Sequence, residues 1–77
     1  MVSPNHLTHP NISIKPGDTI KIKNNVILPK YGWGRIKHTD TGVVQYLESR
    51  NPYNFRIDFK TQPAWLGNID DIVKVNP

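Results

Sequence analysis

Few side chains in this sequence have types and spacing that suit chemistry. His6 and His9 stand three apart, a spacing at which two imidazoles on a helix could share a metal. They lie instead among proline and asparagine with no third ligand nearby, so they read as solvated histidines. His38 falls in a loop and reads as a surface histidine, with a pH-sensitive contact as the sharper alternative. Asp70 and Asp71 are adjacent, so their carboxylates diverge. One of them is expected to cap a short turn or to accept backbone N–H bonds. Glu48 and Asp58 read as solvated charges. No serine, histidine and acid are spaced to suggest a triad, and the chain has no cysteine for a nucleophile or a thiolate metal site. Gly32-x-Gly34 is neither a phosphate loop nor a dinucleotide fingerprint. The expectation is a protein that is not an enzyme, with no metal and no cofactor.

The aromatic residues carry more information. Seven occur, at Tyr31, Trp33, Tyr46, Tyr53, Phe55, Phe59 and Trp65, and a core this small cannot hold all of them. Phe55, Phe59 and one tryptophan are expected inside. Tyr31 and Trp33 stand in a Gly-rich loop between Lys30, Arg35 and Lys37. Tyr46 falls opposite the apolar face of its strand. Lys30, Tyr31, Trp33, Arg35, Lys37 and Tyr46 are therefore the candidate partner-binding residues. Tyr and Trp offer rigid area with a polar handle. Flanking cations suit an acidic or phosphorylated peptide, or single-stranded nucleic acid held by stacking and phosphate contacts. The alternative is that Tyr31 and Trp33 fold back as a lid over the core, with the cations simply solvated.

The elements that must position these residues are short strands. Lys15-Pro16-Gly17-Asp18 is a turn signal. Thr19-Ile20-Lys21-Ile22-Lys23 alternates over five residues and reads as the first strand, with both isoleucines inward. Residues 24 to 40 form a long loop, broken by Asn24-Asn25, Pro29, Gly32 and Gly34. Loops of that length in small domains are functional or packed by their own side chains. Residues 42–47 read as the second strand. Val44 and Leu47 are three apart, which a bulge near Gln45 reconciles. Residues 53–59 form the third strand, and Lys60 to Pro63 a turn. Residues 64–66 form a short fourth strand, 67–71 hold a 3₁₀ turn, and 72–75 form the fifth strand. No segment shows helical apolar spacing over ten residues. The fold predicted is all-β, a small five-stranded SH3-like barrel with a long first loop and a 3₁₀ turn before the last strand. An OB-fold or an open sheet needing a partner are the alternatives.

Seventy-seven residues make one domain. Residues 1–14 read as a flexible lead-in, with Ile12 or Ile14 able to reach the barrel rim, and 15–77 as the barrel. The formal charge is +4, with the ten basic residues scattered and in no run of five. That favours an acidic partner without establishing nucleic-acid binding. No stretch has the length of a membrane span. The start of the chain lacks the pattern of a signal peptide. Together these lead to an expected monomeric, intracellular protein, cytoplasmic or nuclear, with no membrane contact.

One resemblance stands out. Pro29-Lys30-Tyr31-Gly32-Trp33-Gly34, then Gly42-Val43-Val44, a strand ending in Asp58-Phe59, and Asp71-Ile72-Val73-Lys74-Val75 resemble one unit of the HERC2-like repeats. Such repeats occur near the C-terminus of the plant Keep-on-going ubiquitin ligase and are similar in pattern to the repeat domains of Mind bomb ubiquitin ligases. The resemblance covers residues 16–76, and Tyr31-Gly32-Trp33-Gly34 is its most specific element. It implies a β-barrel module that recognises a partner or substrate for a ligase whose catalytic domain lies elsewhere. Those repeats run in tandem, whereas a single unit is present in this sequence. The main functional expectation is thus a non-catalytic module binding a protein or peptide, the substrate-recognition repeat of a ubiquitin ligase. The alternative is an RNA- or single-stranded-DNA-binding barrel.

Overall fold

The computed structural model describes residues 14–75. Five strands follow in chain order: β1 (Thr19–Ile22), β2 (Thr41–Leu47), β3 (Asn54–Phe59), β4 (Gln62–Asn68) and β5 (Ile72–Lys74). A 3₁₀ turn, Ile69–Asp71, joins β4 to β5. They form one antiparallel sheet in the order β4-β3-β2-β1-β5. This is the five-stranded all-β architecture expected, with the long first loop and the 3₁₀ turn before the last strand in place.

All five strands feed one core. Ile20 and Ile22 of β1, Val44 of β2, Phe55, Ile57 and Phe59 of β3, Trp65 of β4 and Ile72 of β5 are buried together. Phe59 and Trp65 meet edge to face at 5.4 Å, a favoured aromatic geometry. A single sheet can bury one apolar face only by curving around it and drawing in its loops. Ile36 from the long loop is buried in the cluster, and Val26 and Trp33 pack against it. Ile14, the first described residue, is buried in it as well. Ile12, His6 and His9 lie outside the described residues.

The turn before β1 forms as read. The Asp18 N–H donates to the Lys15 carbonyl at 3.0 Å, and the Lys15 N–H donates to Asp18 Oδ2 at 2.9 Å. That backbone bond, joined by the Lys74 ammonium at 3.4 Å, holds the Asp18 carboxyl below its ordinary range against a smaller desolvation effect. The predicted bulge is present. The β2–β3 register slips between Val44 and Tyr46, so Val44 pairs with Ile57 and Leu47 with Phe55, both facing the core.

The fourth strand differs from expectation. It spans seven residues and contains Pro63, which reads as a turn residue in the sequence. β4 lies at the sheet edge, where a missing N–H is tolerated. The β3–β4 register slips between Ile57 and Phe59. There Ala64 adopts φ 53° and turns its N–H onto Asp58 Oδ1 at 2.8 Å. Asp58 is thus a structural acceptor in addition to a surface charge. Glu48 pairs with the Arg56 guanidinium at 2.7 Å.

Candidate functional site

Residues 23–40 cross the molecule as a chain of tight turns. Val26 N–H donates to Lys23, Gly32 to Pro29, Ile36 to Trp33 and Asp40 to Lys37, at 2.9 to 3.2 Å. Gly32 and Gly34 take φ of +90° and +60°, the left-handed region that L side chains resist. Two reversals so close together let Tyr31 and Trp33, two residues apart, take opposite fates.

Trp33 turns inward. It packs against the core and meets His38 edge to face at 4.8 Å. Its indole N–H donates to the Ile27 carbonyl at 3.0 Å. Its own carbonyl accepts the Trp65 indole N–H at 3.2 Å. His38 is half-buried instead of at the surface, with Nε2 at 2.8 Å from the Val26 carbonyl. A carbonyl only accepts, so Nε2 carries a proton.

Tyr31 turns outward and stays 43% exposed, held by two buried asparagines. Asn68 is the N-cap of the 3₁₀ turn, and its Oδ1 accepts the Asp70 N–H at 3.0 Å. That backbone donor fixes the amide orientation. Asn68 Nδ2 then donates to Asn54 Oδ1 at 2.9 Å, and Asn54 Nδ2 donates to the Tyr31 hydroxyl oxygen at 2.8 Å. The relay runs one way, so Tyr31 accepts from within and its own proton is left to face outward. The Lys30 ammonium stands 5.9 Å from the Tyr31 ring centre, at the outer limit of a cation–π contact. The Lys30 N–H donates to Asp71 Oδ2 at 2.8 Å. Asp71 thus fills the backbone-accepting role foreseen for one of the two aspartates. The cap itself falls to Asn68.

The six candidate residues do not form one cluster. Tyr31 sits at the Asn54/Asn68 end of the β3–β4 hairpin. The carbonyl of Arg35 accepts the Thr61 hydroxyl at 3.2 Å at the opposite, turn end. Asn54 to Phe59 spans about 17 Å at the rise of a strand. Lys30 and Tyr31 therefore form one group. Arg35 and Lys37 are exposed and belong to the loop stretch at the turn end. There Thr39, Asp40, Thr41, Lys60 and Thr61 line a polar depression of about 270 Å³. Tyr46 is 54% exposed and pairs across the sheet with Arg56. Arg56 shares with Asn54 the face opposite Phe55 and Ile57, about 7 Å along the strand. Tyr46 thus extends the Tyr31 face along the sheet.

Asn54 reads in the sequence only as a polar position of the third strand and Asn68 only as part of the 3₁₀ turn, so neither is a candidate there. Ile27 was missed as well. Its signal was present: three apolar residues, Val26-Ile27-Leu28, run together inside a loop. Among the described residues, no three His, Asp or Glu side chains stand close enough to hold a metal ion.

No family model matches the chain, and no solved structure matches it. Curated proteins do. The chain is 37% identical over 59 residues to the E3 ubiquitin-protein ligase HERC2 of Homo sapiens, which is 77% of the chain and 1% of that protein. It is 30% identical over 57 residues to the E3 ubiquitin-protein ligase KEG of Arabidopsis thaliana, 74% of the chain and 4% of that protein. The chain is therefore a homologue of short segments of the HERC2 and KEG ubiquitin ligases, in keeping with the HERC2-like repeat it resembles. It spans only a few per cent of the length of these relatives.

Proposed function

We propose that this domain is a non-catalytic recognition module that holds a protein partner for a ubiquitin ligase. The partner segment lies along the face marked by Lys30, Tyr31 and Tyr46. The observation that carries the reading is the directed Asn68–Asn54–Tyr31 relay. Two buried amides are used to fix one exposed tyrosine ring and to leave its hydroxyl proton unspent. A rigid aromatic with a polar tip is the type of residue that dominates binding energy in protein interfaces. Lys30 beside it favours an acidic group on the partner. Kinship with ligase segments supports the setting, and the domain works there as a monomeric intracellular unit.

Selection from a random-peptide library tests this. Selected peptides are measured by fluorescence anisotropy against the wild type, Tyr31→Ala and Lys30→Glu. The reading expects acidic peptides whose affinity falls about tenfold or more with Tyr31→Ala, as for an interface anchor. Failure to enrich any peptide, or affinities indifferent to both substitutions, contradicts it. Tight, steeply salt-dependent binding of single-stranded oligonucleotides in the same assay would replace it with nucleic-acid recognition.

A further inference from the structure

A phenol hydroxyl hydrogen-bonds in the plane of its ring, through its own hydrogen on one side and a lone pair on the other. In Tyr31 the lone-pair side is filled by the Asn54 amide at 2.8 Å, and among the described residues the hydroxyl has no further partner. The direction of that bond is not free to reverse. The Asp70 N–H lies 3.0 Å from Asn68 Oδ1, so that atom accepts. Asn68 Nδ2 is then the donor to Asn54 Oδ1, and Asn54 Nδ2 the donor to Tyr31. Turning either amide over sets donor against donor. Both asparagines are buried, where such a clash is costly. The outer side of the Tyr31 hydroxyl is therefore a donor, and the group that meets it has to accept.

Two observations narrow the acceptor. The first is charge. The Lys30 ammonium stands 5.9 Å from the Tyr31 ring centre, and the Asp71 carboxylate accepts the Lys30 N–H at 2.8 Å, so a cation and an anion flank Tyr31 together. An anion at the hydroxyl is drawn by one and repelled by the other, whereas a neutral carbonyl meets the donor without that opposition. The second is rigidity. Tyr31 is fixed at its tip by Asn54 and at its backbone on both sides, by the Lys30 N–H on Asp71 and the Gly32 N–H on the Pro29 carbonyl at 2.9 Å. A donor held this way loses little freedom on binding, and a main-chain carbonyl, unlike a side-chain amide, has no rotamers to lose.

We propose that the Tyr31 hydroxyl donates to a main-chain carbonyl of an extended partner segment. The proposal rests on the recognition reading above and deepens it. Tyr31 fixes the register of the segment through an atom that every residue carries, and the acidic group of the partner is left to the Lys30 ammonium. Main-chain bonds that hold a segment while side chains select it are a recurring mode of peptide recognition.

The first arm of the test needs no partner. Wild-type protein with carbon-13 at tyrosine Cζ is placed in an equal mixture of light and heavy water. A hydroxyl hydrogen that faces solvent exchanges fast, so a single Cζ line is expected for Tyr31. Two lines mean that the hydrogen is held inside, which overturns the donor assignment. In the second arm the probe is the tightest peptide enriched from the random library, with a set in which each main-chain amide in turn is an ester, whose carbonyl accepts more weakly. Each is titrated by fluorescence anisotropy against the wild type, Tyr31→Phe and Tyr31→Ala, with an unchanged amide NMR spectrum verifying the fold. Tyr31→Phe should weaken the all-amide peptide about three- to tenfold. One ester should weaken binding to the wild type and cost nothing further in Tyr31→Phe. Equal binding by Tyr31→Phe and the wild type, or ester losses that are the same in both at every position, overturns the proposal. So does coupling of Tyr31→Phe to neutralisation of an acidic side chain of the peptide, because a carboxylate then meets the hydroxyl. In each of these cases a loss with Tyr31→Ala keeps the recognition reading. Peptides indifferent to Tyr31→Ala, or a library that enriches none, remove both.

Discussion

Replacing Trp33 by alanine separates a packing residue from a binding residue. Removing a fully buried tryptophan costs about 3–5 kcal/mol. Trp33 is half-buried against the core, which scales the loss to roughly 2–3 kcal/mol. The indole bond to the Ile27 carbonyl is lost as well, but that carbonyl lies near the surface, where water replaces the donor at little net cost. A domain of this size holds roughly 4–11 kcal/mol in all, so the variant still folds. At about 4–8 °C per kcal/mol for a small domain, the melting temperature should fall by roughly 10–20 °C. Thermal melts by far-ultraviolet circular dichroism read this without relying on the tryptophan signal. Hydrogen exchange should show faster exchange at the hydrogen-bonded Val26, Gly32 and Ile36 amides of the loop, because the packing that holds their turns is gone. Tyr31→Ala, at an exposed position, should cost only about 1 kcal/mol. A Trp33→Ala variant that melts within about 4 °C of the wild type would refute the packing role and return Trp33 to the binding face.

Three further outcomes follow from the same structure. Gly67→Ala drives a methyl group into the Trp65 ring, and overpacking there should cost about 1–3 kcal/mol or more, read as a lower urea midpoint. Asn68→Ala removes the turn cap and strands the buried Asn54 amide; a loss of about 2 kcal/mol is expected, with the Tyr31 ring resonances moving in the NMR spectrum. The Asp18 carboxyl has a lowered pKa in the folded state, so its contribution is present above its unfolded value and is lost as pH falls through the folded one. Stability should therefore decline below pH 3.8, and Asp18→Asn should flatten that acid limb in urea melts taken across pH; an unchanged acid limb contradicts the assignment.

Much of the fold could be read from local pattern because the pattern has a local cause. The three-residue spacing of Val44 and Leu47 admits a strand only with a bulge, and the register slips there. Alternation in β1 required both isoleucines inward, and both are fully buried. The length of β4 was hidden because Pro63 is a breaker in isolation. Its place in a strand depends on which strand lies at the edge, which is a property of the whole sheet. The site was less legible for a similar reason. Tyr31 and Trp33 have the same local chemistry, and only the path of the loop decides which one turns inward. Lys30 and Arg35 are five residues apart in the chain but approach opposite ends of one hairpin. The asparagine relay joins residues 31, 54 and 68, a connection that no local spacing encodes.

Partner capture on the Lys30, Tyr31 and Tyr46 face can be read by amide NMR titration of the labelled domain with a pool of acidic peptides and, separately, with mixed single-stranded oligonucleotides, at low and moderate salt. Peptide-induced shifts are expected at Lys30, Tyr31, Tyr46, Asn54 and Asn68, persisting at moderate salt. Silence with peptides, and oligonucleotide shifts that collapse with salt, would contradict it.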